Sequence, residues 1–138
     1  MTLFNRKLLQ KRRNRAASGF TEIAFLKDEI AERLVDRLLD IDRNFPLAVD
    51  LGCHTGQIAQ NLPHGKVGQL IQTDFIFEML SSCGLTAGSQ AMGGDTGVKR
   101  RYDALKLQCD EEFLPFADNS LDAILSAFSL HWVNDLVG

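Results

Sequence analysis

Val49-Asp50-Leu51-Gly52-Cys53-His54-Thr55-Gly56 sets an acid, two glycines and a histidine in one short segment at the end of an apolar run. Glycines in such a turn let a ligand approach the backbone, and the free N–H groups of a helix starting there favour negative charge. The residues separate three ligand types. A P-loop needs Gly-Lys-Ser/Thr opening the helix, and Gly56-Gln57-Ile58 stands there instead, which excludes it. A dinucleotide fingerprint needs G-x-G-x-x-G, but His54 and Gln57 occupy the second and third glycine positions counted from Gly52. The third pattern fits: an acid two residues before Gly52 and Gly56 four residues after it. Asp50 repels a phosphate and attracts an ammonium, so the turn suits a zwitterionic amino-acid tail better than a pyrophosphate.

Two further acids carry recognisable chemistry. Asp74 stands 22 residues after Gly52, at the end of a second apolar run, where a carboxylate accepts hydrogen bonds from both hydroxyls of an unmodified ribose. Asp110 opens Asp110-Glu111-Glu112-Phe113-Leu114-Pro115-Phe116 and is placed to accept from an exocyclic adenine amine, with the apolar residues packing beneath. Ala117-Asp118-Asn119-Ser120 is a turn by composition. The three cysteines and three histidines show no metal-ligand spacing, so neither a disulfide framework nor a metal site is expected. His131-Trp132 offers a base or donor beside the single tryptophan, although a packed aromatic with a hydrogen-bonded histidine is the favoured account.

Positioning these groups requires alternating strands and helices. Ile23, Leu26, Ile30, Leu34, Leu38 and Ile41 recur at steps of three or four, the stripe of an amphipathic helix that Val35 and Leu39 widen and that ends before Pro46. Leu47–Leu51 reads as a short buried strand, Ile58–Leu62 as a helix, residues 67–73 as a second strand and residues 75–80 as a short helix. A third strand is expected near residues 104–109, a fourth over residues 121–126, and a helix start at Phe128–Val133. The pattern predicts an α/β Rossmann-like fold with a parallel sheet. Four strands are fewer than a doubly wound sheet usually has, so the chain is expected to be the N-terminal half of a larger domain. Residues 1–138 are read as one such domain, with a helical lead-in over 1–42 and a flexible glycine-rich insertion over 84–103.

The ordinary balance of 45% hydrophobic and 24% charged residues argues against disorder and fibres, and the sequence holds no run apolar enough for a membrane span. Charge is uneven. Arg6, Lys7, Lys11, Arg12, Arg13 and Arg15 precede any acid, which leaves nine basic residues against all 18 acidic ones and a formal −9 for residues 16–138. A basic start fits a presequence, a nucleic-acid arm or a solvated helix. The lack of serine before Ser18 weighs against the first, the acidic body weighs against the second, and no nucleic-acid partner is expected.

Asp50-Leu51-Gly52-Cys53-x-Thr55-Gly56, then Asp74, then Asp110-x-Glu112-x-Leu114-Pro115-Phe116 and Asp122 resemble the ordered motifs of class I S-adenosylmethionine-dependent methyltransferases. Phe4-x-Arg6-x-Leu8, Arg12, Arg13, Arg15-Ala16-Ala17 and Leu130-His131-Trp132-Val133-Asn134-Asp135-Leu136 narrow the match. They are similar to the branch holding the biotin-pathway malonyl-carrier-protein methyltransferase and the mitochondrial complex I assembly factor. The resemblance implies S-adenosyl-L-methionine as cofactor, with Gly52 and Gly56 flanking its methionine part and Asp50 orienting the turn. It further implies Asp74 on the ribose, Phe75 against the adenine, and Asp110 with Glu111 at the adenine amine. His54 departs from the pattern by adding bulk where the cofactor carboxyl approaches. The implied activity is methyl transfer to a small-molecule or protein acceptor. The alternative is an assembly factor that binds the cofactor and hydroxylates, or only binds, a complex I subunit. The compartment implied is a bacterial cytoplasm or, alternatively, a mitochondrial matrix. If strands follow the order of related folds, the fourth lies beside the first as an exposed apolar edge and invites self-association.

Overall fold

A computed structural model describes residues 5–16, 21–83 and 104–134. The glycine-rich segment 84–103 lies outside the described residues, as do Phe4, Ala17, Asp135 and Leu136. Two helices lead in, α1 (Arg6–Ala16) and α2 (Thr21–Asp40), followed by β1 (Phe45–Leu51), α3 (Gln57–Asn61), β2 (Val67–Asp74) and α4 (Phe77–Ser82). Strands β3 (Leu105–Gln108) and β4 (Ala123–Leu125) and a single 3-10 turn (Leu130–Trp132) complete the order.

The four strands form one parallel sheet in the order β3-β2-β1-β4. Strand β1 is central and reads Phe-Pro-Leu-Ala-Val-Asp-Leu, and Phe45, Ala48, Val49 and Leu51 are all buried. Such near-continuous burial is what a parallel strand covered on both faces requires. The chain runs from β1 outward through β2 to β3 and then returns to the other side of β1 for β4. Strand order therefore reverses at β1, and the carboxyl ends of β1 and β4 frame the crevice where open α/β sheets take ligands. The expected neighbouring of the first and fourth strands is what the sheet has.

Helix α2 covers this sheet with Ala31, Val35 and Leu38, which pack with Ile58, Ala59 and Leu62 of the α3 region and with Val67 and Leu70 of β2. The buried face is narrower than the expected stripe. Leu26, Leu39 and Ile41 are exposed, the last because the helix has already ended at Asp40.

Three boundaries differ from expectation for identifiable reasons. Strand β1 starts at Phe45, whose N–H donates to Lys66 O at 2.8 Å, and Pro46 sits at the strand's opening, where a missing donor is tolerated. Strand β4 is only three residues long because Asp122 replaces ladder pairing with its side chain: Oδ2 accepts from Leu47 N at 2.8 Å while its own N–H donates to Leu47 O at 2.8 Å. The helix expected from Phe128 shrinks to one 3-10 turn because Phe128 adopts φ +59°, which no right-handed helix accommodates.

Candidate functional site

The turn between β1 and α3 is built on three positive-φ residues: Gly52 (+69°), His54 (+52°) and Gly56 (+86°). It is pinned from β2. Cys53 N donates to Thr73 O at 2.8 Å, His54 N donates to Asp74 Oδ2 at 3.0 Å, and Thr73 Oγ1 donates to Asp50 O at 3.2 Å. Gly52 has no room for a side chain, since a Cβ there would stand 2.2 Å from Ser129 Oγ. The His54 ring is buried, and its Nε2–H donates to Ala127 O at 3.2 Å, just past β4.

Asp50 lies under the turn at 1% exposure, and neither carboxyl oxygen has a hydrogen-bond partner among the described residues. Burial, reinforced by the nearby charge of Asp74, pushes its pKa up to about 8. Burial thus favours the neutral form of the group near neutral pH, and an adjacent cation or strong donor would favour the charged form. It borders a cavity of about 10 Å³ shared with Lys27, Gly52, His54, Gln57 and Ala127, roughly the room of one water.

Asp74 is fully buried. Besides His54 N, it accepts from Ile76 N at 2.8 Å through Oδ1, so both oxygens hold backbone on either side of β2's end. Gly56 closes the turn by donating its N–H to Cys53 O at 2.9 Å, and its Cα faces Gln72 and Cys83. Cys83 Sγ lies 3.5 Å from Cys53 Sγ and donates to His54 O at 3.2 Å, and both cysteines are buried free thiols. The hydrogen bond with Cys83, followed by burial, pushes the Cys53 thiol pKa up.

Phe75, Asp110 and Glu111 come together at the mouth of the crevice around Arg6, which the opening Phe4-x-Arg6-x-Leu8 motif contains but to which no role was given. Arg6 of α1 donates through Nη2 to Asp110 Oδ1 and, at 2.6 Å, to Glu111 Oε2. Its Cζ stands 5.0 Å over the Phe75 ring, and Nη1 donates to Trp132 O at 3.3 Å. Burial alone would lower the Arg6 pKa, but the hydrogen bonds to Glu111 and Asp110 outweigh it and hold it above its ordinary value. The reading of the N-terminal segment as a solvated helix is therefore corrected at Arg6, whose side chain is 13% exposed. The available signal was charge complementarity between an acid-free start and the Asp110-Glu111-Glu112 run.

Glu111 points inward. Its Oε1 accepts from Ser129 Oγ at 2.6 Å, which carries the network to the wall of Gly52. Glu112 instead holds Asn134 through its backbone N at 2.6 Å and its side-chain Nδ2 at 2.9 Å. Phe128, His131 and Trp132 form a small aromatic group at this rim, with His131 and Trp132 centroids 4.9 Å apart. Among the described residues, no group of His, Cys, Asp and Glu side chains is arranged to hold a metal, and no helix is long and apolar enough to cross a membrane.

Comparison with known proteins agrees with this geometry. A family model described as a methyltransferase domain matches residues 49–138. The chain belongs to that family. The match starts at Val49, inside β1, and takes in the turn, β2 and the whole acidic segment. The chain is 39% identical over 138 residues to the mitochondrial arginine-hydroxylase NDUFAF5 of Rattus norvegicus, covering 99% of this chain and 36% of that protein. It is 31% identical over 139 residues to the malonyl-[acyl-carrier protein] O-methyltransferase of Gallionella capsiferriformans, covering 97% of this chain and 45% of that protein. The chain thus spans less than half the length of these curated relatives. Among solved structures, a putative methyltransferase in complex with the Haloferax volcanii Trm112 activator superposes with a TM-score of 0.59 at 20% identity, over 90% of this chain and 48% of that one. The Bacillus YcgJ protein gives a TM-score of 0.57 at 22% identity, over 75% of this chain and 40% of that one. These structures bear on the fold, and the expected partial Rossmann-like methyltransferase fold is what the sheet and helices form.

Proposed function

We propose that this chain forms the S-adenosyl-L-methionine-binding part of a methyltransferase acting on a small-molecule or protein acceptor. The observation that carries the reading is the acid-flanked glycine turn at the strand-order reversal between β1 and β4, with Phe75, Asp110 and Glu111 at its mouth. The residues present fit the group. Asp50 is a buried carboxyl without a partner, suited to an ammonium-bearing tail. Asp110, with Phe75, forms a carboxylate and a ring face that already hold a planar, N–H-rich group. Gly52 and Gly56 would flank the methionine portion, and His54 would keep the turn seated through Ala127. Asp74 would meet the ribose once the turn relaxes, since its oxygens now bind His54 and Ile76. Glu111 would position the mouth by bridging Ser129.

The bound cofactor supplies an electrophilic methyl group on sulfur. The residues of this chain supply orientation and exclude water, and alignment of this kind accounts for much of a transfer rate without a covalent nucleophile. Relatives named malonyl-[acyl-carrier protein] O-methyltransferase support a carrier-protein or small carboxylate acceptor.

A second reading is favoured by the 39% identity to proteins named arginine-hydroxylase: the same site serves hydroxylation of a protein side chain, as in assembly of a respiratory complex. The compartment is then mitochondrial, as those relatives are named, with the matrix as the proposed location rather than a bacterial cytoplasm. Strand β4, unpaired on its outer side among the described residues and carrying exposed Ile124, supports self-association in either case. Calorimetric titration with S-adenosylmethionine and with a nicotinamide dinucleotide tests the cofactor reading, which requires binding of the first only. Mass spectrometry of an acceptor then separates the two activities, methylation adding one CH₂ and hydroxylation one oxygen atom.

A further inference from the structure

Arg6 engages every group assigned above to the adenine. Nη2 donates to Asp110 Oδ1 and Glu111 Oε2, and the guanidinium carbon lies 5.0 Å over the Phe75 ring. One helical turn on, Gln10 Nε2 donates to Phe75 O at 3.5 Å. A guanidinium is flat, stacks on aromatic faces and presents N–H groups in its plane, the same recognition chemistry as an aminopurine edge. One ring face and one carboxylate edge do not serve both at once.

The hold of α1 on the body is also of a releasable kind. On α1, Leu8 is exposed, while Arg6 and Gln10 reach the body through polar bonds to Asp110, Glu111, Trp132 and Phe75. The polar grip of Arg6 is part of that attachment, and polar bonds open locally at lower cost than buried apolar packing.

We propose that Arg6 and the adenine ring of the cofactor exclude one another at Phe75 and Asp110, so that α1 is a latch that must release before the cofactor seats. The inference rests on the cofactor reading of the preceding subsection. Apparent affinity then equals the intrinsic affinity reduced by the unlatched fraction. Removing the guanidinium removes that reduction for any ligand carrying the adenine.

The test titrates parent, Arg6→Gln and Arg6→Lys proteins with S-adenosylmethionine and with adenosine, and follows amide hydrogen exchange of residues 6–16 in the parent. Arg6→Gln is expected to bind both compounds at least about threefold more tightly, with Arg6→Lys intermediate because it keeps charge but loses the planar fork. In the parent, saturating cofactor is expected to speed exchange in α1. A parent that binds S-adenosylmethionine with α1 exchange unchanged or slowed, or an Arg6→Gln variant that binds equally or more weakly, overturns the latch while leaving the cofactor reading intact. If Arg6→Gln fails to fold, exchange in the parent decides alone. If neither the parent nor Arg6→Gln binds either compound, the cofactor reading falls and the latch with it.

Discussion

Replacing Asp50 with asparagine should change how stability depends on pH more than it changes stability itself. In the folded chain Asp50 is buried without a partner, and burial followed by the charge of Asp74 raises its pKa from 3.8 to about 8. In the unfolded chain it ionises near 3.8. Between these values the unfolded state has released a proton that the folded state retains, so raising the pH favours unfolding. The stability associated with the neutral group is complete below about pH 4 and drains away as pH climbs towards 8. Each pH unit in that window corresponds to about 1.4 kcal/mol, or about 3 kcal/mol between about pH 5 and pH 7. The asparagine side chain of Asp50→Asn cannot titrate, and any cost of its unpaired amide is a constant offset. Urea unfolding of both proteins across that range should therefore show the variant gaining about 3 kcal/mol relative to the parent. Profiles that run parallel within about 1 kcal/mol would refute a neutral, buried Asp50.

Gly52→Ala should destabilise by roughly 2–5 kcal/mol, from left-handed strain plus a clash with Ser129, and adding Ser129→Gly should restore part of the loss in urea melts. Asp74→Ala should lower the thermal midpoint as well as cofactor affinity, because two backbone donors lose a charged acceptor at about 1.5–3 kcal/mol each, and loss of binding at unchanged stability would contradict this. Asp110→Asn should weaken S-adenosylmethionine binding in calorimetry, and equal binding would remove Asp110 from the cofactor site. Ile124→Lys should reduce self-association in sedimentation experiments, and a parent that is monomeric with a concentration-independent melt would rule out the β4 edge as an interface.

Period and punctuation made the sheet legible. Alternating short apolar runs and helical segments, broken at Gly52, Pro63 and Asp74, place β1, α3, β2 and α4 to within a few residues. Boundaries went astray where a side chain replaced a backbone partner, as Asp122 does for β4, or where one residue took an uncommon backbone angle, as Phe128 does. Neither leaves a mark on hydrophobic periodicity. Spacing marked the acids of the site but not their present partners. Asp74 reads as a ligand group because it ends a strand, yet whether its lone pairs face solvent or the N–H groups of His54 and Ile76 depends on turn geometry. The pairing of Arg6 escaped because its partners lie 104 and 105 residues away, and only the opposed charges of the two segments hinted at it.

That separation also bears on the order in which the molecule assembles. Closing a loop of 104 residues costs about 4 kcal/mol of chain entropy before any constant term, far more than a hairpin-sized closure, and the acids that repay it are positioned only after β3 has joined β2. The first helix made is consequently the last to dock. At ribosomal speeds of about 5–20 residues per second, Arg6 waits roughly 5–20 s for Asp110 to be synthesised, and through that time the 11-residue α1 segment lacks the partners of its Arg6. A contact absent from the folding transition state acts on the unfolding limb alone, so changes at Arg6 should speed unfolding while leaving the refolding rate of the sheet untouched.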